Sequence, residues 1–535
     1  MFLGVAITAT LVGAPVPAAL ATADRSEEPV LVAGASFPDF LGRSISDLYL
    51  FRYDAVGGQF VPIPFQIDER LVDRVFREGT SLEFTQTVYD IYGEDDGSLD
   101  ADDELALRFG DAGPQAPPSP PWVSGADPRR YEIVLSDSRP GAPFATRYAY
   151  LFSGTGLPVS ATSYVNWTVS PSTTATTDLY ALDFQDKWLL LGYRVLAPCG
   201  SGADMLDRFK VRSGFTPKSG GTEQGFNDGG PPLDSTFMGG LSGPIRAIRY
   251  VMGAASGVNT IHHDMVYRGV WERHTNLRVH SIQQVWSYFD WLPAGGATLY
   301  LPGNTGGLGV DGTAETPAAW SPCDPGNPDN PGACGAVPPW ALYRSSNGGM
   351  AMLLEVPPST FYDGADGYYL DNSSYDDDPP CSPQPTCYPD DDDAAHDLGI
   401  HILNPHSACC DSIFTKWSTY ALCSDTGDGT LGADYGEFAT TPLGVATTGQ
   451  WKILGSIETV VARRSGDDIV LDWAPAAGAT GYRVYRSQWP DLPKASWTSM
   501  GDTVNLTLTD PGAALQADPR YYSVVALTPG SEGEH

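Results

Sequence analysis

Long helices have little room in this chain: 59 glycines and 45 prolines are spread through its 535 residues, and each either loosens a helix or breaks it. Between these breaks lie short runs rich in β-branched and aromatic residues. Residues 46–53 and 59–68 read as strands joined by a hairpin at Gly57-Gly58, and 131–136, 147–152 and 164–169 have the same character. From 177 to 302 the runs lengthen (KWLLLGYRVL, GPIRAIRYVMGA, LRVHSIQQVWSYFDW), and none holds a helical apolar face for three turns. Residues 340–356 pair about Asn347-Gly348, a strong hairpin signal. The expected class is therefore all-β, built as multidomain β-sandwiches. We divide the chain into 1–23, an N-terminal β domain 24–176 carrying an acidic loop, a central sandwich 177–454 with an acidic, disulfide-bearing insert at about 320–425, and a C-terminal module 455–535.

Residues 1–23 carry no charge and run apolar to Ala19-Leu20-Ala21, the pattern of a secretory signal peptide; no later segment has 18 apolar residues in a row, so no transmembrane segment is expected in the mature chain. Eight cysteines suit an oxidising compartment. Cys323 with Cys334 and Cys381 with Cys387 bracket small turn-rich loops, and Cys199 is left to find a partner among Cys409, Cys410 and Cys423. The expected location is secreted or cell-surface.

The C-terminal stretch differs in kind. IVLDWAPAAGATGYRVYRS followed by DPRYYSVVAL places Trp473 on a second strand, Tyr482 to Arg486 on a third and Tyr521-Tyr522 at the start of a penultimate one. This resembles a fibronectin type III module, which implies two small sheets closing over the tryptophan. The chain runs out where such modules place their last strand, so that strand is expected to be missing.

The net charge of −34, with only six lysines, repels phosphate and excludes a sequence-blind nucleic-acid binder. The charge is concentrated. YGEDDGSLDADDE (92–104) is similar to EF-hand and dockerin-type calcium loops: Asp96, Asp100 and Asp103 offer oxygens, Gly97 takes the turn and Leu99 anchors the loop. SDTGDGTLGADYGE (424–437) repeats the pattern with Asp428. Residues 345–415 contain thirteen carboxylates and no lysine or arginine, Asp376, Asp378, Asp390 and Asp392 among them. Like charges a few ångströms apart cost about 1 kcal/mol per pair even in a water-like dielectric, so bound Ca²⁺ is the expected cofactor.

Seven histidines fall into two groups, 262–280 and 396–406, whose spacing suits neither a helical nor a strand-borne zinc site. No nucleophile-elbow, zincin, P-loop or dinucleotide motif is present. Two functions fit what remains. The first is a secreted, calcium-stabilised modular β-sandwich protein with a binding or structural role, its partner a polysaccharide or other cell-surface component, with Trp271, Trp286 or Trp291 stacking on sugar. The alternative is a secreted carbohydrate-active enzyme, either a polysaccharide lyase or a glycoside hydrolase. A lyase needs a base such as His263 or Tyr267, with Arg268, Arg273 or a cation to neutralise a uronate; a glycosidase needs two carboxylates. A deep cleft with convergent polar groups favours the enzyme, and a shallow aromatic platform favours the binding protein.

Overall fold

Alternation of side chains along each strand sorts the chain into layers. The computed structural model describes residues 23–535 apart from 74–85, 118–121, 144, 172, 186–188, 215–221, 224–235, 256–257, 277–283, 293, 323–331, 358–361, 376–393, 404–412, 424–427, 452–456, 458–459, 477, 491, 493–495, 529–530 and 533–535. It is all-β, and among the described residues every strand pairing in its sheets is antiparallel. In the N-terminal part a five-stranded sheet, ordered Gly444–Trp451, Ala126–Ser136, Thr146–Gly154, Leu48–Asp54, Gln59–Pro62, faces a three-stranded one of Pro29–Ala33, Glu104–Arg108 and Gln66–Asp68. Val30, Val32, Leu105 and Leu107 from the small sheet close on Leu50, Tyr131, Ile133 and Leu151 from the large one. The strand Gly444–Trp451 follows the central unit in sequence, yet it pairs with Ala126–Ser136 of the N-terminal sheet.

The central part stacks a seven-stranded sheet on a nine-stranded one. Val266, Trp271, Met352 and Trp417 of the nine-stranded sheet meet Phe209, Phe289, Trp291, Leu398 and Ile400 of the other in one core. Burying each of these large side chains is worth roughly 1.5–3 kcal/mol. Trp271, Trp286 and Trp291 are all fully buried, so none is a platform for sugar. The disulfide Cys199–Cys423 ties the start of this unit to its end. Cys334 is also disulfide-bonded. Cys323, Cys381, Cys387, Cys409 and Cys410 lie outside the described residues. The hairpin at 347 turns through Ser346-Asn347, with Gly348 (φ 149°) opening the return strand opposite Ser345.

The helix Gly429–Thr440 departs from the sequence reading, which placed a second calcium loop there. Asp428 is its N-cap: the carboxylate accepts hydrogen bonds from the backbone N–H groups of Thr430 (2.8 Å) and Leu431 (3.4 Å). The glycines that disguise this helix are what let it pack. A methyl group on Gly432 would lie 2.3 Å, and one on Gly436 2.4 Å, from the Trp340 indole. Gly436→Ala raises intrinsic helix propensity, yet overpacking against a buried indole should destabilise the protein by about 1–3 kcal/mol, measured as a fall in denaturation midpoint.

The C-terminal strands form two sheets. Val460–Ser465, Asp468–Trp473 and Thr507–Asp510 make one; Thr498–Thr503, Gly481–Ser487, Tyr521–Thr528 and Ser531–Glu532 make the other. Trp473, Tyr482 and Val484 lie in the core between them. Two residues, Ser531–Glu532, pair with Leu527 and Thr528 at the edge where the sequence left no strand.

Candidate active site

The nine-stranded sheet packs Val266, Trp271, Met352 and Trp417 inward, and its outer face carries a row of polar and titratable side chains. On Val258–Tyr267, residues 263, 265 and 267 point outward and 262, 264 and 266 inward, as the two-residue period of a strand requires. Antiparallel register carries the outward set across neighbouring strands: Tyr250 stands opposite His263, His263 opposite His274, His274 opposite Lys416, and Lys416 opposite Glu355. Over this row lie the segment Glu28–Leu31, Arg70, Thr87 and Tyr89, and the helix end at Phe438 with Pro442–Val445. Together they enclose a cleft of about 770 Å³.

Arg273, expected beside His263 and Tyr267, is turned the other way. Its guanidinium is fully buried and donates to Asp264 at 2.8 Å on the inner face, where Asp264 also accepts from the Trp271 indole at 3.0 Å. His263 and Tyr267 do line the cleft.

Each cation near the cleft is matched to a carboxylate. Arg70 reaches Glu104 at 2.8 Å, and Arg246 reaches Glu104 at 3.0 Å and Asp68 at 2.7 Å. Lys416 lies 3.5 Å from Glu272, whose other oxygen is 3.1 Å from His274. Burial alone would raise the Glu272 pKa, but Lys416 and His274 overrule it and hold it at about 2. Arg246 also donates to the Tyr267 hydroxyl at 3.1 Å, and Tyr89 donates to Glu104 at 2.6 Å. Burial keeps the Tyr250, Tyr267 and Tyr420 phenols well above their usual range.

Glu28 is the exception. It follows a single 3-10 turn, Arg25–Glu27, capped by Asp24, and precedes the edge strand Pro29–Ala33. Ala23, also buried, pins this strap by donating its N–H to Asp434 and accepting from Arg139. Burial raises the Glu28 carboxyl from 4.5 to about 7, although Arg25, 3.1 Å away, pulls it down. A group with this proton affinity is half ionised near neutral pH. Sequence reasoning missed Glu28 because it is one acidic residue of 65 and lies more than two hundred residues from the sheet residues Tyr250, His263 and Glu272 that line the same cleft.

The acidic loop at 92–104 keeps its expected frame: Gly97 has φ +76° and Leu99 is fully buried. Its carboxylates divide differently. Asp103 is turned inward, accepting backbone N–H groups from Arg70 (2.9 Å) and Asp100 (2.6 Å), and Asp100 is exposed. Asp96 instead lies with Glu69 and Asp95, where one oxygen from each falls within 4.8 Å of the others. An all-oxygen set suits a hard cation, and three ligands would leave about half of a calcium shell to backbone and water. Cys334, Asp366 and His401 also cluster, but a disulfide-bonded sulfur is no thiolate ligand. Asp376, Asp378, Asp390 and Asp392 lie outside the described residues.

No protein-family model and no curated protein matches the chain. Among solved structures, that of YeaD from Salmonella typhimurium, a mutarotase candidate, aligns with 48% of this chain and 96% of its own, at 8% identity and a TM-score of 0.23. A likeness that slight carries no functional argument.

Proposed function

We propose that the cleft is the active site of a carbohydrate-active enzyme that transfers protons on an uncharged saccharide, a glycoside hydrolase rather than a polysaccharide lyase. The observation that carries this reading is Glu28, a carboxyl held at about 7 on the wall of a concave site. Environments that push carboxyl pKa values apart assign the acid and the base. Glu28 protonates the glycosidic oxygen as the C–O bond breaks; water adds at the anomeric carbon and gives its proton to a second carboxylate. Glu272 is occupied by Lys416 and His274, whereas Glu355 on the same cleft has no ion pair within 4 Å among the described residues and is the better base. The lyase reading is the weaker one because Arg70, Arg246 and Lys416 are already spent on carboxylates, leaving no unmatched arginine or lysine on the cleft among the described residues to neutralise a uronate. The rings of Tyr89, Tyr250, Tyr420 and Phe438 among hydrogen-bonding groups suit the mixed faces of a sugar.

The wider setting belongs to the same proposal. A disulfide supports an oxidising compartment, hence secretion or the cell surface, and among the described residues no helix is long and apolar enough to cross a membrane. The two C-terminal sheets support a fibronectin type III-like accessory module. Calcium bound at Glu69, Asp95 and Asp96 would stabilise the acidic loop. Adding millimolar Ca²⁺ to chelator-treated protein should then raise the melting temperature by a few degrees, and Glu69→Gln with Asp96→Asn should abolish the increment; equal transitions with and without chelator would rule calcium out. The enzyme reading is tested by incubating the protein with neutral and uronate-containing polysaccharides. Reducing ends should appear from a neutral substrate without the unsaturated chromophore of a lyase product.

A further inference from the structure

His263 stands between Tyr250 and His274 in the cleft row and is nine-tenths buried, yet its Nδ1 has no hydrogen-bond partner. A buried, unpaired polar atom on a cleft wall is costly to keep, and a ligand that pairs it recovers that cost. The ring is not loose. It stacks on Tyr250 at 5.1 Å between centroids, with the planes 28° apart, and lies 4.8 Å from the ring of His274, which Glu272 holds at 3.1 Å. These contacts fix the imidazole plane across three adjacent strands and leave Nδ1 unpaired in a ring that lines the cleft.

We propose that His263 is the specificity residue of this site: its Nδ1 pairs with one substrate hydroxyl, so the protein discriminates against saccharides that lack it. This rests on the reading of the cleft as a saccharide site and deepens it. Burial first, and then the neighbouring His274, push the His263 pKa well below its usual value, so the ring recognises its partner as a neutral imidazole throughout the working pH range. Glu272 opposes this shift, while Arg246 and Arg70 reinforce it. Proton transfer stays with Glu28. A site built to hydrogen-bond a hydroxyl rejects the analogue without it far more strongly than an apolar pocket rejects an extra methylene.

The position of Nδ1 makes the test specific, because an asparagine amide places a polar atom near Nδ1 and a glutamine amide places one near Nε2. Full-length protein and the variants His263→Asn, His263→Gln and His263→Leu, each checked for an unchanged melting profile, are assayed on neutral hexose and pentose oligosaccharides and on their monodeoxy analogues. Wild type should prefer the parent sugar over one deoxy analogue by about 10²-fold or more in kcat/KM. His263→Gln and His263→Leu should lose that preference and 10- to 100-fold in kcat/KM with the pH profile unmoved, and His263→Asn should restore most of both. If a saccharide is turned over and all three variants match wild type in its deoxy discrimination, the inference fails and the enzyme reading stands. If no saccharide is turned over by wild type, both are overturned.

Discussion

Glu28→Gln should reduce kcat on a neutral saccharide by 10²- to 10⁴-fold, the usual contribution of a positioned general acid. In wild type, activity should fall as pH rises through about 7, because the acid must hold its proton to deliver it. The variant should lack that limb. Stability gives a second readout independent of substrate. The carboxyl binds its proton more tightly folded than unfolded, so its contribution is fully present below about 4.5 and is lost as pH rises through about 7. A rise from 4.5 to about 7 is worth about 3 kcal/mol. Between pH 4.5 and 8 the variant should therefore gain on wild type by about that amount. A constant difference in denaturation free energy between the two proteins across this range would show that Glu28 is an ordinary surface carboxylate.

The second large effect lies on Val258–Tyr267, on the face turned away from the cleft. Asp264 is fully buried and serves Arg273 at 2.8 Å, Arg249 at 3.5 Å and the Trp271 indole at 3.0 Å. Asp264→Ala should destabilise the protein by about 3–5 kcal/mol, because two buried guanidiniums lose the carboxylate they share. Asp264→Leu combined with Arg273→Met removes both members of the closest pair and should recover part of the loss. Chemical denaturation of the three proteins measures it. The folded fraction of Asp264→Ala should keep the wild-type pH profile, since Asp264 does not face the cleft. A shifted profile in that fraction would return Arg273 and its partner to the chemistry.

Asp264 and Glu28 also show how far the sequence could be read. The period of two along TIHHDMVY places His263 and Tyr267 on one face and Asp264 on the other, so part of the cleft was legible from spacing alone. Arg273 was not, because which face it takes depends on register: it pairs with Asp264, and only the topology says so. The all-β class followed from short strands between glycines and prolines. The helix Gly429–Thr440 escaped because its glycines answer to Trp340, a contact nearly a hundred residues away, and because an N-capping Asp-Gly looks like a calcium loop. Glu28 escaped for a related reason. Its proton affinity comes from burial in the cleft wall, and burial of a residue beside an edge strand has no sequence period.

Titration of Glu28 itself decides whether the cleft holds an acid. In full-length protein labelled with ¹³C at the glutamate side-chain carboxyl, the resonance that disappears in Glu28→Gln is followed from pH 3 to 9. Its midpoint should fall near 7, well above that of an exposed glutamate. A midpoint near 4.5 would leave the cleft without its acid and contradict the enzyme reading.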